Sequence, residues 1–429
     1  MASRTPSSAV SRSASSSSLP LPRASPVVEL SRAEKEKEAL ITAACQDRDL
    51  AALVELATST SGLISDDLRR IAWPLLLGCS KEDSTSPPWE KLPPHKDEHQ
   101  VGLDVNRAFV YYPKNGTKAA KECLQSERQL DCRKEELSNV ILEVLRQHPT
   151  LCYFQGYHDI VQVFLLVLGA QDAPAAVARL SLLRIRDFML STLDPAISQL
   201  ELLRPIFHAA DPELYEHLPK SQPSFALAGT ITMFAHNIHD YKDITRLFDF
   251  FLARDAVMPI YLFAAAVLSR REELLEIDQE DEDILYVMLG KLPQPFDVEF
   301  HIARTLELYE RLPPASLRSW EWWRISTSSV LKTFVTVSEL HRLTLEDGET
   351  LFQQQEKDVR RQQALRHAAK NMLYVRRQLW FYRRYGYVGV AVLVGAYALW
   401  LGRNGGPNAR YPLFGPLGYI VRRLFGRSS

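Results

Sequence analysis

Apolar residues recur at helical spacing along most of the chain. The clearest series follows positions i, i+3, i+4, i+7 and i+8 and ends shortly before Pro149: Leu137, Val140, Ile141, Val144 and Leu145. Further apolar runs cover residues 160–168, 175–193, 225–234, 244–253 and 259–268. Alternating patterns typical of β-strands are nearly absent. The sequence therefore predicts an all-α fold, with one large helical domain over residues 59–325.

Composition narrows the class of protein. The 429 residues include 46% hydrophobic and 24% charged residues, with a formal net charge of −1. These values fit a globular core and exclude a fully disordered chain and a polytopic transporter. Because the chain is not a polycation, we expect no nucleic-acid partner. No two of the five cysteines have C-x-x-C spacing, so zinc ribbons, redox dithiols and disulfide scaffolds are poorly supported.

The N-terminal segment differs from the helical part. Residues 1–28 are rich in Ser and Pro and contain no acid, which predicts disorder. A mitochondrial transit peptide is the alternative, although the segment has three Arg residues and no apolar stripe. Residues 29–58 are predicted to be a helical lead-in. Beyond them, Ser65 is a predicted helix N-cap, followed by two acids in the first turn.

The C-terminal segment predicts membrane attachment. Residues 326–384 are expected to form a helical, basic linker, in which Lys357–Arg384 contains nine basic residues and one acid. Tyr385–Gly402 follows, with 18 uncharged residues and aromatic residues at both ends. A helix of that length spans roughly 27 Å, near the thickness of a thin bilayer. We therefore predict a transmembrane helix over residues 385–402, with a buried core helix as the alternative.

Charge asymmetry sets the expected orientation of that span. Basic residues flanking a span stay in the cytosol, so the helical domain is predicted to be cytosolic. Residues 403–429 then form a short lumenal tail. A re-entrant hairpin that includes Tyr411–Phe425 is the alternative.

Several standard catalytic and metal sites are not predicted, because the sequence lacks their motifs. The chain has no Walker, H-E-x-x-H or G-x-S-x-G motif. His236, His239 and Asp240 have helical spacing, but no further ligand group is indicated nearby, so no metal site is predicted. The acidic cluster Glu272–Asp283 reads as a solvated face.

Two short segments suggest chemistry. Asp104 and Arg107 are three residues apart, so on a helical turn the carboxylate can hold the guanidinium, although a surface ion pair has the same spacing. Gln155 precedes Gly156 just before an apolar helix, where glycine permits close approach of a ligand. A capping or surface role for Gln155 is the alternative.

Together the two segments fit phosphoryl transfer on a partner GTPase. A GTPase that already holds GTP and Mg²⁺ lacks a cation for the developing charge and a holder for the attacking water. Arg107 can supply the first and Gln155 the second, and Arg suits the task because it is planar and always charged. We therefore expect no cofactor of the chain's own and no independent reaction.

Four motifs, in order, resemble those of the TBC-domain family of GTPase-activating proteins for Rab GTPases. The likeness covers roughly residues 60–310. The motifs are Arg69-x-x-x-Trp73 with Leu76-Leu77-Gly78, Val101-x-x-Asp104-x-x-Arg107, Tyr153-Phe154-Gln155-Gly156 and Arg246-Leu247-Phe248-Asp249. Each motif alone is weak, whereas four in order are strong.

The resemblance implies an all-helical fold and a two-finger mechanism in trans. It assigns the catalytic roles to Arg107 and Gln155. Supporting roles fall on four further residues: Asp104, Tyr153, Gly156 and Arg69. The sequence departs from the family pattern at three places, none of which removes a reacting group: Val101, Phe248 and Tyr157-His158.

The segment 234–261 and the C-terminal apolar run are most similar to an ER-anchored branch of that family. This resemblance implies an endoplasmic reticulum or ER–Golgi membrane location and Rab GTPases in the GTP state as partners, with lipid contact through Tyr385–Gly402. Two other function classes stay open from the residues alone. One is a non-catalytic, membrane-anchored helical adaptor that binds a small GTPase, and the other is a membrane-shaping protein.

Overall fold

A computed structural model describes residues 31–80, 88–110, 127–317, 319–333 and 336–404. All regular elements in these ranges are helical, which confirms the predicted fold class. The α-helices are α1 (Arg32–Asp47), α2 (Leu50–Thr58), α3 (Asp66–Leu77), α4 (Glu98–Val105), α5 (Glu127–Gln147), α6 (Tyr157–Leu168), α7 (Ala173–Leu183), α8 (Asp194–Leu200), α9 (Leu203–Ala210), α10 (Pro212–His217), α11 (Leu227–Ile231), α12 (Tyr241–Ala253), α13 (Met258–Leu268), α14 (Arg271–Leu275), α15 (Glu282–Leu289), α16 (Val298–Arg311), α17 (Trp320–Arg324), α18 (Val330–Thr333), α19 (Val337–Leu340) and α20 (Leu345–Asn404). Short 3₁₀ helices cover Trp89–Lys91, Arg186–Phe188, Ser224–Ala226 and Pro314–Leu317. The chain divides into two units, Met1–Val359 and Arg360–Ser429.

The core of the first unit is built on helices that are apolar around most of their circumference. Helices α6, α7, α12 and α13 bury nearly all of their side chains, as expected of helices without a wide polar face. Trp73 of α3 lies among them, with its ring centroid 5.3 Å from that of Phe164 and 5.9 Å from that of Phe248. This aromatic cluster joins three helices that are distant in sequence.

Helix ends follow the local chemistry of the sequence. The Ser65 side chain accepts a hydrogen bond from the backbone N–H of Leu68, and two acids occupy the first turn of α3, which confirms the predicted cap. Gly78 ends the same helix in a left-handed conformation with φ of 71°. Helices α1 and α2 occupy the segment predicted as a helical lead-in.

A buried ion pair joins α3 to α12. Arg69 donates to the fully buried carboxylate of Asp249 through Nε to Oδ1 and through Nη2 to Oδ2, each at 3.0 Å. Trp73 Nε1 donates to Asp249 Oδ1 at 2.8 Å, and the backbone N–H of Leu63 donates to Oδ2 at 2.9 Å. A Cβ at Gly62 would lie 2.6 Å from Asp249 Oδ2, so a larger residue would displace the carboxylate. We call Arg69, Trp73 and Asp249 the Asp249 clamp.

Helix α20 contributes to both units. Its first turns belong to the first unit, where Phe352 and Val359 are buried. In the second unit its apolar side chains are largely exposed, among them Trp380, Phe381 and Tyr382.

The segment Tyr385–Gly402, which the sequence predicts to be a transmembrane helix, lies within α20. Within the part of the chain that the structure describes, no helix is long and apolar enough to cross a bilayer. The predicted disordered segment 1–28 and residues 405–429 of the predicted lumenal tail lie outside the described residues.

Candidate catalytic groove

Both residues predicted to be catalytic line one open cavity of the first unit. The cavity measures about 980 Å³, and its walls include Arg107, Gln155 and Gly156. We call it the groove. Leu227 and Ile231 of α11 form part of an apolar wall. The structure therefore brings together two side chains that are 48 residues apart in the sequence.

Arg107 is anchored at its base and open at its tip. Helix α4 ends at Val105, and the backbone N–H of Arg107 then donates to the carbonyl oxygen of Asp104 at 3.0 Å. Arg107 Nη2 donates to Asp104 Oδ1 at 2.5 Å. The Asp104 side chain is fully buried, whereas that of Arg107 is 64% exposed. The guanidinium is thus oriented by a hidden carboxylate while facing solvent.

Asp104 is in turn held by the glutamine loop, residues 151–156. Tyr153 Oη donates to Asp104 Oδ2 at 3.0 Å, and Gln100 Nε2 donates to Oδ1 at 3.2 Å. Burial, and next the nearby negative charge of Asp104, raise the pKa of Tyr153 well above its ordinary value. Tyr153 therefore keeps its hydroxyl proton at any physiological pH.

The main chain of Tyr153 is tied to the same segment. Its N–H donates to Asp97 Oδ2 at 2.9 Å, at the residue that precedes α4. The two bonds of Tyr153 therefore span both ends of α4. This double attachment couples the position of Arg107 to that of the glutamine loop.

Gly156 allows the glutamine loop to turn sharply into α6. Its φ of 104° lies in the region that favours glycine, and a Cβ there would meet Thr232 Cγ2 at 2.6 Å. The flanking Phe154 and Tyr157 are buried. Gln155 is exposed at the top of this turn. The tight turn thus presents an amide to the groove while its neighbours fix the backbone.

Sequence reasoning missed several residues that shape the groove. Gln162 of α6 is 3% exposed and accepts a hydrogen bond from the backbone N–H of Phe109 at 3.0 Å. Phe109 has a φ of 62°, so the turn that follows Arg107 is fixed in a left-handed conformation. The available signal was a lone amide on an otherwise apolar helix. Nothing in the sequence near Asp97 indicated its hydrogen bond with the main chain of Tyr153.

Two histidines and one acid complete the wall beside the fingers. His158 Nδ1 lies 3.3 Å from Tyr153 Oη, and His158 Nε2 lies 3.3 Å from Asp159 Oδ1. His236 Nδ1 lies 3.1 Å from Asp159 Oδ2. Burial lowers the pKa of His158, whereas the hydrogen bond to Asp159 raises that of His236. Over the described ranges, no group of His, Cys, Asp and Glu could hold a metal ion.

Arg69 takes no part in the groove. Its guanidinium is buried in the Asp249 clamp and also donates from Nη1 to Asp66 Oδ1 at 2.9 Å. The first and fourth sequence motifs therefore meet each other in the core, away from the residues that line the groove. The structure places Arg69 between α3 and α12, and its supporting role for the pocket stays a prediction.

The arrangement offers two complementary polar groups to a partner. The exposed guanidinium can neutralise developing negative charge, and an amide can both donate and accept a hydrogen bond. Both groups rest on buried, hydrogen-bonded supports, as a preformed electrostatic site requires.

Comparisons with known proteins agree with this geometry. A family model described as the Rab-GTPase-TBC domain matches residues 66–275. The human protein TBC1 domain family member 20 is 38% identical over 272 residues, which is 63% of this chain and 65% of that protein. The aligned part thus spans slightly less than two thirds of that relative. The GTPase-activating protein gyp10 of Schizosaccharomyces pombe is 33% identical over 298 residues, which is 68% of this chain and 77% of that protein.

A solved structure supports the fold independently. The crystal structure of the Ypt/Rab-GAP domain of Gyp1p superposes with a TM-score of 0.50 at 14% sequence identity, and covers 65% of this chain and 98% of that domain. At this identity the likeness concerns the fold alone. Taken with the extent of the match to gyp10 and the four motifs in order, these findings show that the chain belongs to the TBC-domain family.

Proposed function

We propose that this chain is a GTPase-activating protein for Rab GTPases and supplies Arg107 and Gln155 in trans to a GTP-bound partner. The observation that carries the proposal is the placement of both side chains on one open groove, with Arg107 anchored by the buried Asp104. Membership of the TBC-domain family supports the same activity.

Arg107 has the properties of an arginine finger. Its planar guanidinium presents several N–H donors toward the groove, and these can bind the γ-phosphate oxygens as negative charge develops on them. The partner carries GTP and Mg²⁺, and Arg107 contributes charge stabilisation to them. An arginine finger accelerates hydrolysis about 10³- to 10⁵-fold.

Gln155 can orient the attacking water. The amide oxygen accepts a hydrogen bond from a water molecule and the amide nitrogen donates one to a phosphate oxygen or to the partner's backbone. The tight turn at Gly156 fixes the backbone beneath this side chain. Because the amide is already fixed, the reaction loses less entropy when the attacking water is ordered.

The proposal is tested with the full chain and a panel of GTP-loaded Rab GTPases in single-turnover hydrolysis. We expect the wild-type chain to accelerate at least one Rab, and Arg107→Ala to lower that rate about 10³-fold. We expect Gln155→Ala to lower it about hundredfold. Arg304→Ala is the matched control, because Arg304 is also exposed and also pairs with an acid three residues away, Glu307. It should leave the rate unchanged.

Two outcomes would contradict the proposal. If both finger variants stimulate hydrolysis as the wild type does, the two-finger mechanism is wrong. If the wild type binds a Rab in its GTP state and leaves its hydrolysis rate unchanged, the chain is a helical adaptor.

The proposed place of action is the endoplasmic reticulum or ER–Golgi membrane, with Rab GTPases of the early secretory pathway as substrates. The resemblance to an ER-anchored branch supports this, as do the exposed Trp380 and Tyr382 beside Arg376, Arg377 and Arg383. Basic residues are attracted to anionic lipid, and Trp and Tyr favour the membrane interface. A fluorescent full-length fusion should coincide with an ER marker, and a uniform cytosolic distribution would contradict this location.

A further inference from the structure

A continuous series of polar side chains runs from Asp104, beside the arginine finger, to His236, which also lines the groove. It starts at Asp104, which holds Arg107, and continues through Tyr153 and His158. It then passes from His158 to Asp159 and from Asp159 to His236. Each successive pair is separated by 3.0–3.3 Å. We call Asp104, Tyr153, His158, Asp159 and His236 the His158 relay.

The number of protons in the relay limits which bonds can form together. The Tyr153 hydroxyl has one proton, and both Asp104 Oδ2 and His158 Nδ1 lie within reach of it. The carboxylate of Asp159 beside Nε2 favours the tautomer with its proton on Nε2. In that neutral tautomer Nδ1 is an acceptor, so it competes with Asp104 for the hydroxyl proton.

Protonation of His158 removes this competition. A proton on Nδ1 can be donated to Tyr153 Oη, and the hydroxyl proton is then directed to Asp104 alone. The neighbouring proton on Nε2 still faces Asp159. With His158 charged, every close pair in the relay has one donor and one acceptor.

We propose that His158 is a positioning residue whose protonation state sets the hydrogen bond from Tyr153 to Asp104 and thereby the orientation of Arg107. The proposal rests on the GTPase-activating function proposed above. It makes the rate of GTP hydrolysis sensitive to pH through a residue that acts on Arg107 by way of Tyr153 and Asp104. A lower pH would strengthen the hydrogen bond from Tyr153 to Asp104, the carboxylate that orients Arg107.

The groups around His158 determine when it becomes charged. Asp159 on its own helix and Asp104 of α4 favour the charged form. Burial, Arg107 after α4 and His236 before α12 oppose it, and burial is the largest influence. The pKa of His158 therefore lies below its ordinary value near 6.5. The His158 ring is neutral at pH 7.5. It gains its proton only as the pH falls below the ordinary histidine pKa near 6.5.

The first experiment measures the relay without any GTPase. The full chain is labelled with ¹⁵N-histidine, and His158 is assigned by the loss of its signals in His158→Asn. We expect the Nε2-protonated tautomer at pH 7.5. Tyr153→Phe should shift the pKa of His158 downward, because the charged ring loses its acceptor, whereas the control Tyr286→Phe, whose ring contacts Phe225 elsewhere in the fold, should not. An identical titration of His158 in the wild type and in Tyr153→Phe would overturn the proposal.

The second experiment measures the consequence for hydrolysis. The Rab that gives the largest stimulation in the panel is used with the wild type and with His158→Asn, whose amide cannot titrate. The ratio of the two rates cancels the pH dependence of the Rab itself. We expect this ratio to rise about threefold to tenfold as the pH falls from 7.5 through the His158 titration measured in the first experiment, the effect of one hydrogen bond. In a Tyr153→Phe background the ratio should not change with pH.

Controls separate this proposal from the proposed function. His208→Asn, at an exposed histidine on α9, should give a ratio that does not depend on pH. If Arg107→Ala abolishes stimulation but the ratio for His158→Asn is constant, the relay is wrong and the GTPase-activating function stands. If no Rab is stimulated, that function fails, and the histidine titration alone decides whether Tyr153 and His158 are coupled.

Discussion

The Asp249 clamp and the arginine finger use the same chemical pair for opposite purposes. In each, an arginine donates to a carboxylate that is fully buried. Arg69 is itself buried, with 6% of its side chain exposed, whereas the side chain of Arg107 is 64% exposed. In the clamp all three guanidinium nitrogens donate to carboxylates of the protein, whereas in the groove the tip of the guanidinium is open to a partner.

The contrast teaches that burial decides the role of an arginine, and sequence spacing does not. Both arginines follow an aspartate by three residues, Asp66 before Arg69 and Asp104 before Arg107. Arg69 is also met by Asp249 from a helix 180 residues further along the chain. That second acid converts a local pair into a tertiary contact between α3 and α12.

The largest expected effects come from exchanging arginine for lysine at both sites. Lysine keeps the charge but loses the planar fork of donors. We expect Arg107→Lys to lower the stimulated rate of GTP hydrolysis by the Rab about hundredfold or more, with an unchanged free energy of unfolding. We expect Arg69→Lys to lower the free energy of unfolding by about 2–4 kcal/mol, because Asp249 is left buried with fewer donors.

Denaturant unfolding and single-turnover hydrolysis, measured on the same samples, check this pair of expectations. The rate for Arg69→Lys is corrected for the folded fraction and should then lie near that of the wild type. A stable Arg69→Lys protein with low activity would place Arg69 in the catalytic machinery and break the comparison.

A second, smaller effect concerns the backbone of the glutamine loop. Gly156→Ala introduces a Cβ at positive φ and against Thr232 Cγ2, so we expect a loss of about 1–3 kcal/mol in the free energy of unfolding. A displaced Gln155 should also lower the hydrolysis rate about tenfold to hundredfold. Both are measured as for the arginine variants.

A matched second substitution separates the two causes at Gly156. Thr232→Ser removes the Cγ2 methyl but keeps the hydroxyl that donates to the carbonyl oxygen of Ala228. Combined with Gly156→Ala, it should restore part of the stability and of the rate, since only the strain of the positive φ remains. No recovery in the double variant would show that the contact with Thr232 is unimportant.

The smallest change in the free energy of unfolding is expected for Asp67 and Arg70, a third Asp–Arg pair with a spacing of three residues. Asp67 accepts a hydrogen bond from Arg70, but its side chain is 78% exposed. Solvent screens this pair, so Asp67→Ala should change the free energy of unfolding by at most about 0.5 kcal/mol. Asp66→Ala, one residue earlier, removes an acceptor of both Arg69 and Tyr241 and should destabilise the protein more. Equal effects at the two positions, measured by denaturant unfolding, would contradict the dependence on burial.

The sequence predicted those features that depend on neighbouring residues. Helical periodicity located α5, α6, α12 and α13, and Ser65 was recognisable as a cap because its partner lies three residues away. The pairing of Asp104 with Arg107 was also visible, since it lies within one turn. That these two segments share a groove with Gln155 came from the family resemblance, and the geometry agrees with it.

Features that depend on distant residues were beyond a reading of local pattern. The acceptor of the Phe109 N–H is 53 residues away, at Gln162, and Asp159 meets His236 across 77 residues. The pairing of Arg69 with Asp249 was hidden for the same reason, because it depends on α12.

The anchoring of Arg107 by Asp104 has a consequence for the speed and strength of association. A free arginine side chain must give up rotational freedom when a partner binds, at about 0.5–1.5 kcal/mol for each immobilised side chain. Here the guanidinium is already restrained before any encounter, so most of that entropy is lost during folding. A GTP-bound partner therefore meets a pre-organised arm, and the complex gains about threefold to tenfold in affinity over one formed with an unrestrained arginine.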